Sequence, residues 1–200
     1  MVGEKNRAIK VAPSLAKREP KRLAPVGGPV LAPPRTVIVR DSRENPKKCS
    51  ILPLRGRPDL EFLTYPANFP PPSLNQRGIL NTNPESRLPD LNAYVCLAAE
   101  GPELSPKDAG SGLLLLDGSW RRAEGMIRAF QHVPPPSLKG YHTAYPRVSK
   151  KGTDPANDLA TVEALFLAYR ILGRPTAGLL DHYRWAEEFL RLNGLVTEKA

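Results

Sequence analysis

The chain has 200 residues and a formal net charge of +9 at pH 7. This length suits one main α/β domain with a sizeable core. The basic balance favours a polyanionic partner, and it favours nucleic acid over a membrane because the sequence contains no basic amphipathic helix, lipidation signal or apolar run of spanning length. Cys49 and Cys96 are far apart and lack metal-binding spacing, so we expect reduced thiols, no structural zinc and a cytoplasmic protein.

Residues 1–34 carry seven basic and two acidic residues, interleaved with prolines and with few large apolar side chains. Such a segment cannot bury enough apolar surface to offset the entropy lost on ordering. We therefore expect a disordered basic arm. It either contacts a polyanion or only keeps the chain soluble.

Two β-branched or apolar runs, 36–40 and 60–64, predict the first strands, and 77–80 predicts a third, short one. The run 93–99 predicts another strand, central in the sheet. Ser105-Pro-Lys-Asp108 has the capping-box pattern of a short helix that must end before Gly112.

The stretch 112–130 combines a predicted buried strand, a tight turn and the start of a helix. Leu113–Leu116 is an unbroken apolar run, which indicates a parallel strand covered on both faces. After the turn, apolar residues recur at helical spacing, and the predicted apolar face comprises Trp120, Ala123, Met126, Ile127 and Phe130. A helix that leaves the carboxyl end of a buried parallel strand marks the usual place for a ligand in open α/β sheets.

Residues 133–158 predict a long loop, and loops of this length in compact domains are commonly functional. A helix follows from about 159 to 172 and ends at Gly173. Thr176 is a candidate cap for a last helix that ends at Asn193-Gly194.

The chain lacks Walker, G-x-G-x-x-G and G-x-S-x-G motifs. Asp117, at a predicted strand end, is the best candidate for chemistry, although an aspartate there can also cap the next helix. Trp120 can equally be core, and Glu163 can simply favour a helix dipole. The histidines, His132, His142 and His182, show no ligand spacing.

Four motifs resemble those of the DTW-domain and ribosome-maturation (18S-type rRNA) aminocarboxypropyltransferases, which are related to SPOUT-class RNA methyltransferases. They are Asn45-Pro-Lys-Lys-Cys-Ser50, Leu104-Ser-Pro-Lys-Asp108, Leu115-Leu-Asp-Gly-Ser-Trp120 and Leu159-Ala-Thr-Val-Glu-Ala164. The last helix also resembles that of the rRNA enzymes, through Leu179-Leu180, Tyr183-Arg-Trp185 and Phe189-Leu-Arg-Leu-Asn193, and in order and spacing the matches span about residues 36–194. Gly118 occupies the position where the family's rRNA enzymes have cysteine. Ser119 occupies the position where the tRNA enzymes have threonine.

The resemblance implies a SPOUT-like knotted α/β fold with a small N-terminal β-rich portion, over 35–90, and a catalytic portion that binds S-adenosylmethionine, over 91–195. It implies transfer of a 3-amino-3-carboxypropyl group to N3 of a uridine or pseudouridine in RNA, with rRNA favoured over tRNA. A SPOUT-type methyltransferase and a non-catalytic RNA-binding assembly factor are the alternatives. We expect a monomer that uses no metal.

Residue by residue, the resemblance assigns catalytic roles to Asp117 and Trp120. The positions expected near the cofactor are Ser50, Leu116, Gly118, Ser119, Val148 and Thr161. Basic residues expected to hold RNA, or else to form a solvated face, are Arg121, Arg122, Lys139, Arg147, Lys150 and Lys151.

Overall fold

A computed structural model describes residues 33–65, 73–74, 80–81, 89–146 and 159–195. It separates residues 1–30 from residues 31–200 as two units, and all the described residues lie in the second. Most of the predicted arm is therefore outside the described residues.

Four parallel strands form the main sheet, namely β1 (Thr36–Asp41), β2 (Leu60–Tyr65), β5 (Tyr94–Cys96) and β7 (Gly112–Asp117). Their order in the sheet is β2-β1-β7-β5. The other strands are β3 (Ser73–Leu74) and β4 (Leu80–Asn81), which form an antiparallel pair, and β6 (Ala98–Glu103). The helices are α1 (Trp120–Ile127), α2 (Thr161–Ile171) and α3 (Ala186–Leu192). The predicted mixed α/β class with a parallel sheet is confirmed.

The sheet is buried on both faces, as the unbroken apolar run in β7 predicts. Side chains alternate across a strand, so Leu113 and Leu115 pack on one face with α2 and α3, while Leu114 packs on the other face with Met126 and Phe130. Ile127 does not follow the prediction, because its side chain is 37% exposed. The period-2 alternation also puts Asp117 on the same face as Leu115, toward α2.

Two predicted strands differ from the structure. The run 93–99 divides into β5 and β6, and β5 is at the edge of the described sheet rather than in its centre. The chain turns away after Leu97, and Ala98 donates instead to the carbonyl of Pro136. The predicted strand 77–80 overlaps β4 only at Leu80, and residues 77–79 are outside the described residues.

The capping box at Ser105 is present, but it closes a single 3₁₀ turn, Pro106–Asp108. The Asp108 carboxylate accepts from the Ser105 amide at 2.9 Å and from its hydroxyl at 3.1 Å. The last helix is shorter than predicted, because turns occupy residues 176–185 before α3 begins. Gly178 has a φ of +77°, a backbone conformation that a right-handed helix does not contain.

A polar network ties α2 to the amino ends of the strands. The Tyr169 hydroxyl contacts the Thr36 hydroxyl at 3.0 Å and donates to Asp59 at 3.0 Å. Burial raises the pKa of Tyr169 to about 12, so its hydroxyl stays protonated. The half-buried Arg174 guanidinium lies 5.6 Å from the Tyr169 ring and donates to the Ser111 carbonyl. These contacts fix α2 across the sheet, so its first turn reaches the opposite, carboxyl end.

Candidate functional site

The carboxyl ends of β1 and β7 bring two opposite charges together. Arg40 and Asp117 are register partners in these parallel strands. Their side chains are 12% and 9% exposed, and Arg40 Nε lies 3.4 Å from Asp117 Oδ2. The pair is thus largely removed from water, where an unpaired charge would be costly.

Asp117 also receives hydrogen bonds from two other segments. Its Oδ1 accepts from the Thr161 hydroxyl at 2.7 Å, and its Oδ2 accepts from the Cys49 thiol at 3.1 Å. Arg40, Cys49, Asp117 and Thr161 together are called the Asp117 cluster below. The cluster joins the end of β1, the loop that follows it, the end of β7 and the first residue of α2.

The start of α1 is held by a glutamate that the sequence analysis did not single out. Glu44 Oε1 accepts from the Ser119 amide at 2.7 Å and from Arg122 Nη1 at 2.8 Å. Arg40 Nη2 in turn donates to the Glu44 carbonyl. The described hydrogen bonds of the Asp117 carboxylate come from Thr161 and Cys49. The carboxylate that accepts from the Ser119 amide, just before α1, is therefore that of Glu44 and not that of Asp117.

The charge of Asp117 acts on the Cys49 thiol. Burial raises the pKa of Cys49, and the nearby Asp117 carboxylate raises it further by charge and by hydrogen bonding. The thiol therefore stays protonated at neutral pH and serves as a donor rather than as a thiolate nucleophile. Arg40 Nε is buried and makes no hydrogen bond with another described group, although it is within ion-pair distance of Asp117.

The turn after β1 is fixed by a second buried carboxylate. Asp41 is 0% exposed and accepts from the Arg43 amide, Nε and Nη2 at 2.8, 2.9 and 2.7 Å. The hydrogen bonds from the Arg43 side chain lower the pKa of Asp41. This turn sets the direction of the loop that returns Cys49 to Asp117.

The predicted cofactor residues are partly brought together. Thr161 contacts Asp117 directly, Leu116 and Gly118 flank it in the chain, and Ser50 follows Cys49. Ser119 is exposed at the start of α1, held through its amide by Glu44. Trp120 begins α1, but its side chain is outside what the structure describes, as is the whole of Val148.

The predicted RNA-binding residues fall into three groups. Arg121 and Lys139 are exposed. Arg122 is half-buried and paired with Glu44. Arg147, Lys150 and Lys151 are outside the described residues.

Sequence reasoning missed Arg40, Glu44 and the contact of Cys49 with Asp117. One signal was available for Arg40, which is a charged residue directly after the apolar run Val37–Val39 of β1. Glu44 carried no such signal, because an acidic residue in a turn is ordinary. Cys49 lies in the motif Asn45–Ser50, but the position of this motif in the sequence does not indicate a contact with Asp117.

Among the described residues, no group of three or more His, Cys, Asp or Glu side chains is arranged to hold a metal ion. His132, His142 and His182 are exposed. In the same part of the chain, no helix has the length and apolar character needed to cross a membrane.

The comparison with solved structures finds a likeness of fold. The chain is similar to the SAM-dependent rRNA:acp-transferase Tsr3 from Vulcanisaeta distributa. The TM-score is 0.53 at 20% sequence identity, over 80% of this chain and 79% of that one. No protein-family model matches the chain, and no curated protein matches it significantly.

Proposed function

We propose that the protein transfers the 3-amino-3-carboxypropyl group of S-adenosylmethionine to N3 of a uridine or pseudouridine in structured RNA, with rRNA favoured. The observation that carries this proposal is the Asp117 cluster. Three of the four motifs that resemble the aminocarboxypropyltransferases supply a residue to it, namely Cys49, Asp117 and Thr161. The likeness of fold to Tsr3, an rRNA:acp-transferase, supports the general kind of reaction.

In the proposed reaction, the bond breaks between the sulfonium sulfur and the methylene carbon of the 3-amino-3-carboxypropyl group. A new bond forms between N3 of the base and that methylene carbon. The electron pair of the broken bond neutralises the sulfonium, so methylthioadenosine leaves as a neutral molecule. N3 loses its proton to an acceptor or to water. Because the sulfonium is already a good leaving group, most of the acceleration comes from holding the two reactants in line.

The residues of the site suit such a co-substrate. S-adenosylmethionine carries a sulfonium, an ammonium and a carboxylate. Asp117 offers a carboxylate that complements either cation, and the buried Arg40 Nε is a donor without a described hydrogen bond that suits the carboxylate. These opposite charges lie side by side at the carboxyl end of the sheet, where α/β folds bind ligands.

Asp117 is proposed to act on the transfer through its charge and through the arrangement it imposes on its neighbours. Both its oxygens already have donors, from Thr161 and from Cys49. Orientation of a cationic co-substrate needs no change in these bonds. Proton acceptance from N3, the other role considered for Asp117, would require one of the donors to leave.

RNA recognition, the knotted SPOUT topology, a monomeric state and a cytoplasmic location are parts of the same proposal. Exposed Arg121 and Lys139, with the basic arm, are proposed to contact the RNA backbone. Trp120 is proposed to line the cofactor pocket or to stack on a base that has left its helix. A tRNA substrate is the second choice.

The test is product analysis with the purified protein, S-adenosylmethionine and structured RNA. Mass spectrometry should find methylthioadenosine and a nucleoside that carries the added group. Asp117→Ala should lower the rate by about 100-fold or more, because the co-substrate and base lose their alignment. Replacement of the exposed Asp181 by Ala is the matched control and should leave the rate unchanged.

Two results would contradict the proposal. Release of S-adenosylhomocysteine would show a methyltransferase instead. Absence of S-adenosylmethionine binding in calorimetry, with retained RNA binding, would indicate a non-catalytic assembly factor.

A further inference from the structure

Glu163 is a fully buried carboxylate that four neutral donors surround. Its side chain is 0% exposed. Oε1 accepts from the Ala144 amide at 2.9 Å and from the Tyr183 hydroxyl at 2.8 Å. Oε2 accepts from the Ala160 amide and from the Thr143 hydroxyl, both at 2.7 Å. These donors come from three separate parts of the chain.

This arrangement requires a carboxylate rather than an amide. Each oxygen of Glu163 faces one backbone N–H, which can only donate. A glutamine at the same position would turn its NH₂ group toward either Ala144 or Ala160, whichever way its amide is oriented. One buried N–H would then be left without an acceptor, which is costly in the protein interior. Favourable interaction with the helix dipole, the role considered from the sequence, does not need this set of contacts.

The same contacts connect the start of α2, which supplies Thr161 to the Asp117 cluster, to a second segment of the chain. Ala160 immediately precedes Thr161, whose hydroxyl donates to Asp117 at 2.7 Å. Glu163 therefore fixes the backbone from which Thr161 reaches the Asp117 cluster. On its other side, Glu163 holds residues 141–146, the described segment that contains Thr143 and Ala144.

The segment 141–146 has a second attachment, away from Glu163. The His142 amide donates to the Asn193 side-chain oxygen at 2.8 Å, and Asn193 Nδ2 donates back to the His142 carbonyl at 2.8 Å. The Tyr145 ring lies 5.0 Å from that of Trp185, which in turn lies 5.8 Å from the Tyr183 ring. Trp185 is thus in contact both with the segment and with a donor to Glu163.

We propose that Glu163 is a positioning residue for the transfer reaction. Its carboxylate fastens segment 141–146 to the first turn of α2, and by fixing Thr161 it fixes the orientation of Asp117. The positioning role rests on the proposed function, whereas the fastening of the segment does not. The two parts are therefore tested by different measurements.

The first measurement concerns the free protein. In Glu163→Gln, the protection of either the Ala144 or the Ala160 amide from hydrogen exchange should fall by about tenfold or more, because the glutamine NH₂ group leaves one of the two without an acceptor. In a Trp120→Phe background, Trp185 is the one tryptophan left, and its emission should shift in Glu163→Gln. Leu167→Ala, which removes a fully buried side chain from the same helix, is the control and should change neither signal.

The second measurement concerns the reaction. Glu163→Gln should lower kcat by about tenfold or more at saturating S-adenosylmethionine, at a temperature where it and Leu167→Ala are both folded. Leu167→Ala should keep kcat within about twofold, since it weakens packing without disturbing the donors to Glu163. Thr143→Val should also lower kcat, and Thr143→Ser, which restores the hydroxyl, should recover it.

Unchanged exchange and emission in Glu163→Gln would overturn the inference even if the wild-type protein transfers the group. A changed signal with a kcat no lower than that of Leu167→Ala would also overturn it, because Glu163 would then be structural only. An inactive wild-type protein would instead reject the proposed function and the positioning role with it. The exchange result would still decide whether Glu163 fastens the segment.

Discussion

At the scale of single residues, the site depends on charges that are buried together. Asp117 and Arg40 lie at adjacent strand ends, and each compensates the other where water is largely excluded. Cys49 and Thr161 each donate one hydrogen bond to the carboxylate. The cluster is therefore a coupled unit, and a change in one member should be felt by the others.

The coupling can be measured with a double-mutant cycle. Arg40→Met should reduce the free energy of unfolding by about 3 kcal/mol, because it leaves Asp117 buried without its cation. Asp117→Leu should have an effect of similar size. The double variant should be destabilised by less than the sum of the two, as urea unfolding curves would show. Additivity within about 0.5 kcal/mol would contradict the coupling.

The pKa of the Cys49 thiol depends on the charge of Asp117. Because that charge raises the pKa of Cys49, Asp117→Asn should lower the pKa and increase the thiolate fraction at pH 8. Alkylation by iodoacetamide should then be faster in the variant than in the wild type. Cys96 is the internal control, since burial raises its pKa to about 12 and its side chain is nearly inaccessible. An unchanged rate at Cys49 would show that Asp117 does not control the thiol.

At the scale of elements, local pattern predicted most strands and helices but not all their limits. The apolar run of β7 and the periodicity of α1 and α2 are strong local signals, and both were confirmed. The start of α3 was predicted wrongly, because Leu179 and Tyr183 are buried four residues apart, as on one face of a helix, although turns separate them from α3. Periodic burial alone does not distinguish successive turns from one helix.

Two glycines give opposite predictions for the same substitution. Gly125 is exposed within α1 with open space around it, so Gly125→Ala should stabilise the protein by about 0.5–1 kcal/mol. Gly178 has a φ of +77°, so Gly178→Ala should destabilise it by about 1 kcal/mol. Thermal unfolding of both variants provides the check. A gain in Tm for Gly178→Ala would contradict the turn at 176–185.

At the scale of the whole molecule, the sheet sets which parts of the chain meet. Strands β1 and β2 come from the first part of the sequence and β5 and β7 from later, yet all four are parallel neighbours. Their carboxyl ends share one edge, with Arg40 and Asp117 on the face toward α2. Cys49 and Thr161 are 68 and 44 residues from Asp117 in the sequence, and this edge is where they join it.

The basic arm is expected to affect RNA binding and not folding. Deletion of residues 1–32 should leave Tm unchanged, because this proline-rich segment has few large apolar residues to bury. RNA affinity should fall, and the slope of log K against log salt should become shallower by roughly 0.7–0.9 for each phosphate that the arm neutralises in the full chain. Filter binding at several salt concentrations measures this slope. An unchanged slope would leave the arm with a solubilising role alone.

The sequence by itself determined the class of fold, the buried strand at 113–116, the two helices at 120 and 161 and Asp117 as the leading candidate for chemistry. These follow from local periodicity, turn residues and the position of a polar residue after an apolar run. Only the tertiary structure decided that Arg40, Cys49 and Thr161 are the partners of Asp117, and that Glu163 joins segment 141–146 to α2. Contacts between residues so distant in sequence depend on strand order and helix placement, which local pattern does not specify.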